Sequence, residues 1–162
     1  MEGFIIRALS VSEGILALAP MPGLSGSYRK DLSHINDWKP ALVVSVATEE
    51  ELLAAGAAGL GSDLQDAGTR WAQLPVGDYG VPAPEQEPDW HAISKPALAA
   101  LQGGGRVLIH CRGGCGRSGM AVLRLMIEAG EDAEAALRRL RALRPCAVET
   151  DAQMDWARGG RE

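Results

Sequence analysis

The segment RVLIHCRGGCGRSGMAVLRLMI, residues 106–127, constrains this chain more than any other. Residues 107–110 are a short apolar run of strand character, and residues 120–127 are an apolar run of helical length, read as a helix buried all round. Only a short loop separates the two, and it carries Gly113, Gly114 and Gly116 beside His110, Cys111, Arg112, Cys115 and Arg117. A buried strand that passes through a glycine loop into a buried helix belongs to a layered α/β fold.

The rest of the chain repeats the alternation. Residues 4–9, 15–19, 41–47 and 71–76 read as further strands, the third rich in Val and suited to cover on both faces. Helices are expected over 28–38, from 88 to 101 with a kink at Pro96, and over 133–143, where Pro145 ends the run. Thr48 with Glu51, and Ser62 with Gln65, have the spacing of capping boxes that open two short helices. Residues 77–87, rich in Gly, Pro and acidic groups, read as a loop. The expected fold class is α/β, a five-stranded, mostly parallel sheet with helices on both faces. Residues 1–158 are expected to form one domain and 159–162 a frayed tail.

Composition narrows the function. The 162 residues are 46% hydrophobic and 23% charged, enough for a core and too apolar for global disorder. The net charge of −5 offers no basic footprint for nucleic acid or an anionic membrane. No window approaches the length of a membrane span, and the first residues lack the pattern of a secretory leader, so a cytoplasmic protein is expected. Cys111, Cys115 and Cys146 are too few and too oddly spaced for a disulfide framework or a zinc site. Cys146 reads as a small buried hydrophobe.

The loop after residue 110 has the chemistry of an anion cup. Its glycines allow positive φ, so that successive N–H groups turn inward, and the following helix adds its positive N-terminal end. The expected phosphate-binding residues are Arg112, Gly113, Gly114, Cys115, Gly116 and Arg117. Such a cup also stabilises a thiolate at Cys111, a nucleophile able to attack phosphorus in line. Arg117, with its planar fork, is expected to clamp two phosphate oxygens. Ser118 is placed to donate a hydrogen bond to the sulfur, and His110 to order the loop rather than transfer protons.

His-Cys, five residues, then Arg-Ser-Gly resembles the signature of the cysteine-dependent protein tyrosine phosphatases. The small size is similar to the dual-specificity branch. "LPVGDYGVP" upstream and "LRPCAVETDAQMDW" downstream are similar to the kinase-associated phosphatase type. The resemblance covers residues 71–156; the first seventy residues match only in the order of their strands and helices. It implies a general acid on the loop before the signature, where Asp78 fits, with Asp89, Glu85 and Glu87 as alternatives. It also implies that Gln153 faces the active site and helps place the hydrolytic water. Glu149 stands where that type often has an amide. A carboxylate would repel phosphate, so Glu149 is expected to point elsewhere or to pair with an arginine.

Plainer readings apply to other residues. Arg138, Arg139, Arg141 and Arg144 read as a solvated helix face. His34 and His91 read as ordinary surface positions. Trp38, Trp71, Trp90 and Trp156 read as packing, with Trp90 and Tyr79 as candidates to wall the pocket. Gly114–Gly119 also matches G-x-G-x-x-G, but no acid-tipped strand follows, as a dinucleotide site requires. A reversible Cys111–Cys115 bond is one further possibility.

The expectation is a cysteine-dependent phosphatase acting on phosphorylated protein through a phosphocysteine, on phosphotyrosine first and with phosphoserine and phosphothreonine left open. No cofactor or metal is called for, and a monomer without nucleic acid or membrane partners is expected. The alternatives are a rhodanese-like sulfurtransferase and a catalytically inactive phosphate-binding module.

Overall fold

Val43, Val44, Val107, Leu108 and Ile109 are fully buried, as strands covered on both faces demand. The computed structural model describes residues 3–159; the expected tail lies, from residue 160 on, outside the described residues. The strands are β1 (Arg7–Val11), β2 (Gly14–Ala19), β3 (Leu42–Ser45), β4 (Arg70–Gln73) and β5 (Arg106–His110). They form one sheet in the order β1-β2-β5-β3-β4. All neighbours are parallel except β1, which folds back on β2. The expected five-stranded, mostly parallel α/β sheet is therefore present.

Side chains alternate across the sheet, and the sequence sorts them onto two cores. Leu16, Leu18, Val44, Val107 and Ile109 face one cluster, which also holds Trp90, Ile93, Met120 and Leu123 from the helices α4 (Glu87–Gln102) and α5 (Gly116–Glu128). Ala17, Ala19, Val43 and Leu108 face the other. There they meet Leu32 and Ile35 of α1 (Tyr28–Trp38), Leu52 of α2 (Glu49–Ala54), and Leu60 and Leu64 of α3 (Leu60–Asp66). The last two helices, α6 (Ala133–Leu143) and α7 (Asp151–Arg158), pack on α5.

Several boundaries differ from expectation for local reasons. β1 starts at Arg7 rather than residue 4, because its register is set by β2, from Arg7↔Leu18 to Val11↔Gly14. Phe4 and Ile6 instead pack against the second core. β4 stops at Gln73, where its partner β3 stops at Ser45. The capping box of Thr48 and Glu51 forms. That of Ser62 and Gln65 does not: α3 starts at Leu60 after Gly59, which puts Ser62 inside the helix. α4 contains Pro96 and continues to Gln102. α5 is not apolar all round, since it buries Arg124. That guanidinium pairs with Glu87 and Glu128 and lies 4.4 Å from the Trp156 ring centroid. α7 was not foreseen, although Thr150 and Gln153 form a capping box that opens it.

Cys115 and Cys146 are joined by a disulfide, with Cα atoms 5.2 Å apart. This corrects two expectations, for Cys146 is no inert core residue and Cys115 is not paired with Cys111. Spacing along the chain does not report this contact. The pair is 31 residues apart, and only the return of the chain after α6 brings it together. In the chain-entropy description a loop of this length stabilises the fold by about 3–4 kcal/mol. Reductant, or Cys146→Ser, is therefore expected to lower the thermal unfolding midpoint by several degrees. An unchanged midpoint in calorimetry would contradict it.

Candidate active site

The parallel register aligns the carboxyl ends of β2, β5 and β3, with Ala19 and Ser45 both beside His110. This is where open α/β sheets present loops to a ligand. Cys111 follows at once and is buried. Its Sγ accepts the Gly114 N–H at 3.2 Å and lies 3.2 Å from Ser118 Oγ. Of the three loop glycines, Gly114 alone takes positive φ, at 74°. A Cβ on it would lie 2.8 Å from Pro20 N, so both the turn and the space exclude a side chain. Gly113 and Gly116 curl the loop with ordinary φ, which narrows the expectation made for them.

Arg117 opens the first turn of α5 with 2% of its side chain exposed. Its Nη1 donates to Glu51 Oε1 at 2.6 Å and to the Val76 carbonyl at 2.7 Å. Nη2 donates to Glu51 Oε2 at 2.8 Å. Asp78 Oδ1 stands 3.5 Å from Nη2. Of the five guanidinium hydrogens, Nε–H and one on Nη2 enter no hydrogen bond among the described residues, a pair on one edge of the plane beside which Asp78 stands. Burial works against the charge on Arg117. The Glu51 hydrogen bond, with the charges of Cys111, Glu51 and Asp78, outweighs it and holds the guanidinium above its ordinary value. The same bond from Arg117 holds the Glu51 carboxyl down at about 2. Glu51 was not singled out as a functional residue. Its signal was the capping box: Oε1 also accepts the Thr48 N–H at 2.9 Å.

A cleft of about 150 Å³ opens above the sulfur. Asp78, Tyr79, Cys111, Arg112, Gly113, Cys115, Gly116, Arg117 and Glu149 line it. Tyr79 thus walls the cleft, whereas Trp90 is in the core. Of the alternative acids, Asp89, Glu85 and Glu87, none lines the cleft, and Glu87 is paired with Arg124. A larger hollow of about 700 Å³ beside α2 and α3 has Glu49, Leu53 and Trp71 in its wall and no nucleophile.

One expectation at the cleft is corrected, that for Glu149. Glu149 does not turn away, nor does it pair with an arginine among the described residues: it lines the cleft, and its carboxylate would meet any Cβ placed on Gly116. The left-handed turn at Val148, φ 65°, and the 2.7 Å bond from Glu149 N–H to Gln153 Oε1 aim it there. Gln153 is buried, close to Gly116 of the loop, and its amide engages neighbouring backbone. Oε1 also accepts the Thr150 N–H, and Nε2 donates to the Gly80 carbonyl. It ties the Asp78 loop to the start of α7. The arginines of α6 and of the position just after it are not all solvated either. Arg144 donates to the carbonyls of Gly113 and Gly114, and Arg141 to those of Ala147 and Val148.

His110 lies beneath the loop, fully buried, with Nδ1 2.9 Å from the Cys111 carbonyl. Burial pushes it down to about 4. An unfolded histidine titrates near 6.5, so between these values the unfolded chain binds a proton that the folded one refuses. This contribution to stability is complete above pH 6.5 and drains as pH falls towards 4. Unfolding midpoints are expected to drop across that window, and less steeply in His110→Asn. Equal slopes for the two proteins would contradict the assignment.

Among the described residues no group of three or more His, Cys, Asp or Glu side chains is placed to hold a metal, and no helix is long and apolar enough to cross a membrane.

The model of the family described as PTP-SAK: Swiss Army Knife protein, DSP-PTPase phosphatase domain, matches residues 23–156, well before the point where the signature-based resemblance began. No curated protein matches the sequence. Kinase associated phosphatase, with its catalytic-site cysteine replaced by serine, superimposes with a TM-score of 0.86 at 23% identity over 99% of this chain and 96% of its own. Tk-PTP in its active form gives 0.69 at 28% identity over 91% and 92%. PTPMT1 in complex with PI(5)P gives 0.73 at 18% identity over 94% and 93%.

Proposed function

The chain belongs to the DSP-PTPase domain family of cysteine-based protein phosphatases, and we propose that Cys111 is its nucleophile, acting through a phosphocysteine. The observation that carries this reading is the convergence on one small cleft of Cys111 Sγ, bonded by the Gly114 amide, and a buried Arg117 with two donors to spare.

In the first step the Cys111 thiolate attacks phosphorus, the P–O bond to the substrate breaks, and protonated Asp78 gives its proton to the leaving oxygen. Arg117, through Nε–H and the open Nη2–H, and the loop amides bind the three equatorial oxygens, whose charge rises in the transition state. Asp78 is exposed and flanked by Gly77 and Gly80, which suits a residue that must move from Arg117 to the leaving group. In the second step water attacks phosphorus, the S–P bond breaks, and Asp78 takes the water's proton. Ser118 Oγ, within hydrogen-bond reach of the sulfur, stabilises the departing thiolate. His110 keeps the loop in shape, and Gln153 holds the acid loop in place.

The substrate is a phosphorylated protein, with phosphotyrosine first. Two carboxylates, Asp78 and Glu149, share the cleft with two guanidiniums, Arg117, which the first phosphate engages, and Arg112, the one left for any further phosphate. A polyphosphorylated headgroup would meet repulsion there, which supports a monoester on a polypeptide. The same reading takes residues 1–158 as one catalytic domain, acting as a cytoplasmic monomer.

Cys111→Ser is expected to abolish hydrolysis of p-nitrophenyl phosphate in the presence of chelator, and vanadate to inhibit the wild type. Asp78→Asn is expected to lower kcat by roughly 10²–10⁴-fold with KM little changed. Steady-state kinetics checks both; undiminished turnover in either variant contradicts the assigned role.

A further inference from the structure

A directed hydrogen-bond chain runs from the third and fourth strands of the sheet to the nucleophile. Trp71 Nε1 donates to Ser45 Oγ at 2.9 Å, Ser45 Oγ lies 2.6 Å from His110 Nε2, and His110 Nδ1 lies 2.9 Å from the Cys111 carbonyl. Ser45 and His110 are fully buried, opposite each other on adjacent strands. The protons have one consistent placement. A carbonyl only accepts, so Nδ1 carries the hydrogen. The imidazole is neutral near pH 7 because burial disfavours its charge, so Nε2 accepts and the Ser45 hydroxyl donates to it. The Ser45 oxygen in turn accepts the indole N–H, which can only donate. A charged imidazole, by contrast, would leave the Ser45 hydrogen without an acceptor in this chain.

We infer that Ser45 and Trp71 are positioning residues for the phosphatase reaction, locking His110 in its Nδ1–H tautomer so that the Cys111 carbonyl, and with it the sulfur and the loop amides, is held in register. This rests on Cys111 being the nucleophile, as proposed above. Without Ser45, Nε2 loses its donor and the imidazole is free to take the other tautomer, which releases the carbonyl. The charged groups around the sulfur, namely Arg112, Arg117, Asp78 and Glu149 in the cleft and Glu51 behind Arg117, are untouched by changes at residues 45 and 71. A change in thiolate reactivity in those variants therefore comes through His110.

The test uses the oxidised chain, in which Cys111 is the free cysteine, and needs no turnover. Iodoacetamide labelling of Cys111 is followed from pH 4 to 9 for wild type, Ser45→Ala, Ser45→Thr and Trp71→Phe. Ser45→Ala is expected to move the half-maximal rate to higher pH and to lower kcat/KM by roughly tenfold, the scale of a lost outer-shell partner. Ser45→Thr, which keeps the hydroxyl, is expected to restore both, and Trp71→Phe to fall between. A Ser45→Ala profile that superimposes on wild type, or a shift that Ser45→Thr leaves in place, overturns the inference. Nitrogen NMR of the wild-type imidazole stands independent of any variant: the Nδ1–H tautomer is expected, and Nε2–H overturns it. If labelling behaves as expected but no phosphatase activity exists, the functional reading fails and the positioning role falls with it; if only labelling departs, the positioning role alone fails.

Discussion

A buried guanidinium that must stay charged is the constraint on which this structure turns. Arg117 is almost wholly removed from water, and an unpaired charge there would be costly. The fold meets the requirement by bringing three separate segments to one point. α2 supplies Glu51, the stretch after β4 supplies the Val76 carbonyl, and α5 supplies the arginine. Glu51 serves twice, since the oxygen that caps α2 at Thr48 also binds Arg117. Helix start and anion clamp are thus a single electrostatic unit. The bidentate grip spends one edge of the guanidinium and leaves the other for a ligand. A rigid fork can thus be held by protein on one edge and keep on the other the geometry that two phosphate oxygens would require.

The centre of the molecule was legible in the sequence because its physics is local. Strand β5, the glycine loop and α5 are contiguous, so Cys111, Gly114, Arg117 and Ser118 could be placed relative to one another from spacing alone. The sheet class followed from Val-rich runs without alternation, and α2 from its capping box. What escaped were relations between distant segments. Glu51 meets Arg117 across 66 residues, Cys115 meets Cys146 across 31, and Arg144 reaches the loop carbonyls across 30 or 31. No periodicity reports such contacts. Arg124 was hidden for a different reason. It sits within an apolar run, and only the arrival of Glu87, Glu128 and Trp156 makes its burial tolerable.

The loop is braced from behind by two devices. The Cys115–Cys146 disulfide fixes the N-cap of α5 to the chain after α6, and Arg144 holds the carbonyls of Gly113 and Gly114. With these carbonyls engaged at the back, the Gly114 amide points the other way, to the Cys111 sulfur, the polarity an anion needs. A reducing compartment opens such a disulfide, and the guanidinium contacts then carry the bracing. Glu149 works in the opposite sense, setting a negative group at the rim.

The account depends on a covalent bond between Cys111 and phosphorus. Rapidly quenching the Ser118→Ala variant during turnover of a radiolabelled phosphopeptide, followed by peptide mapping, tests it directly. The label is expected on the peptide that contains Cys111 and is expected to vanish in Cys111→Ser. Turnover with no label on that peptide, or label that survives the serine substitution on another residue, would contradict it.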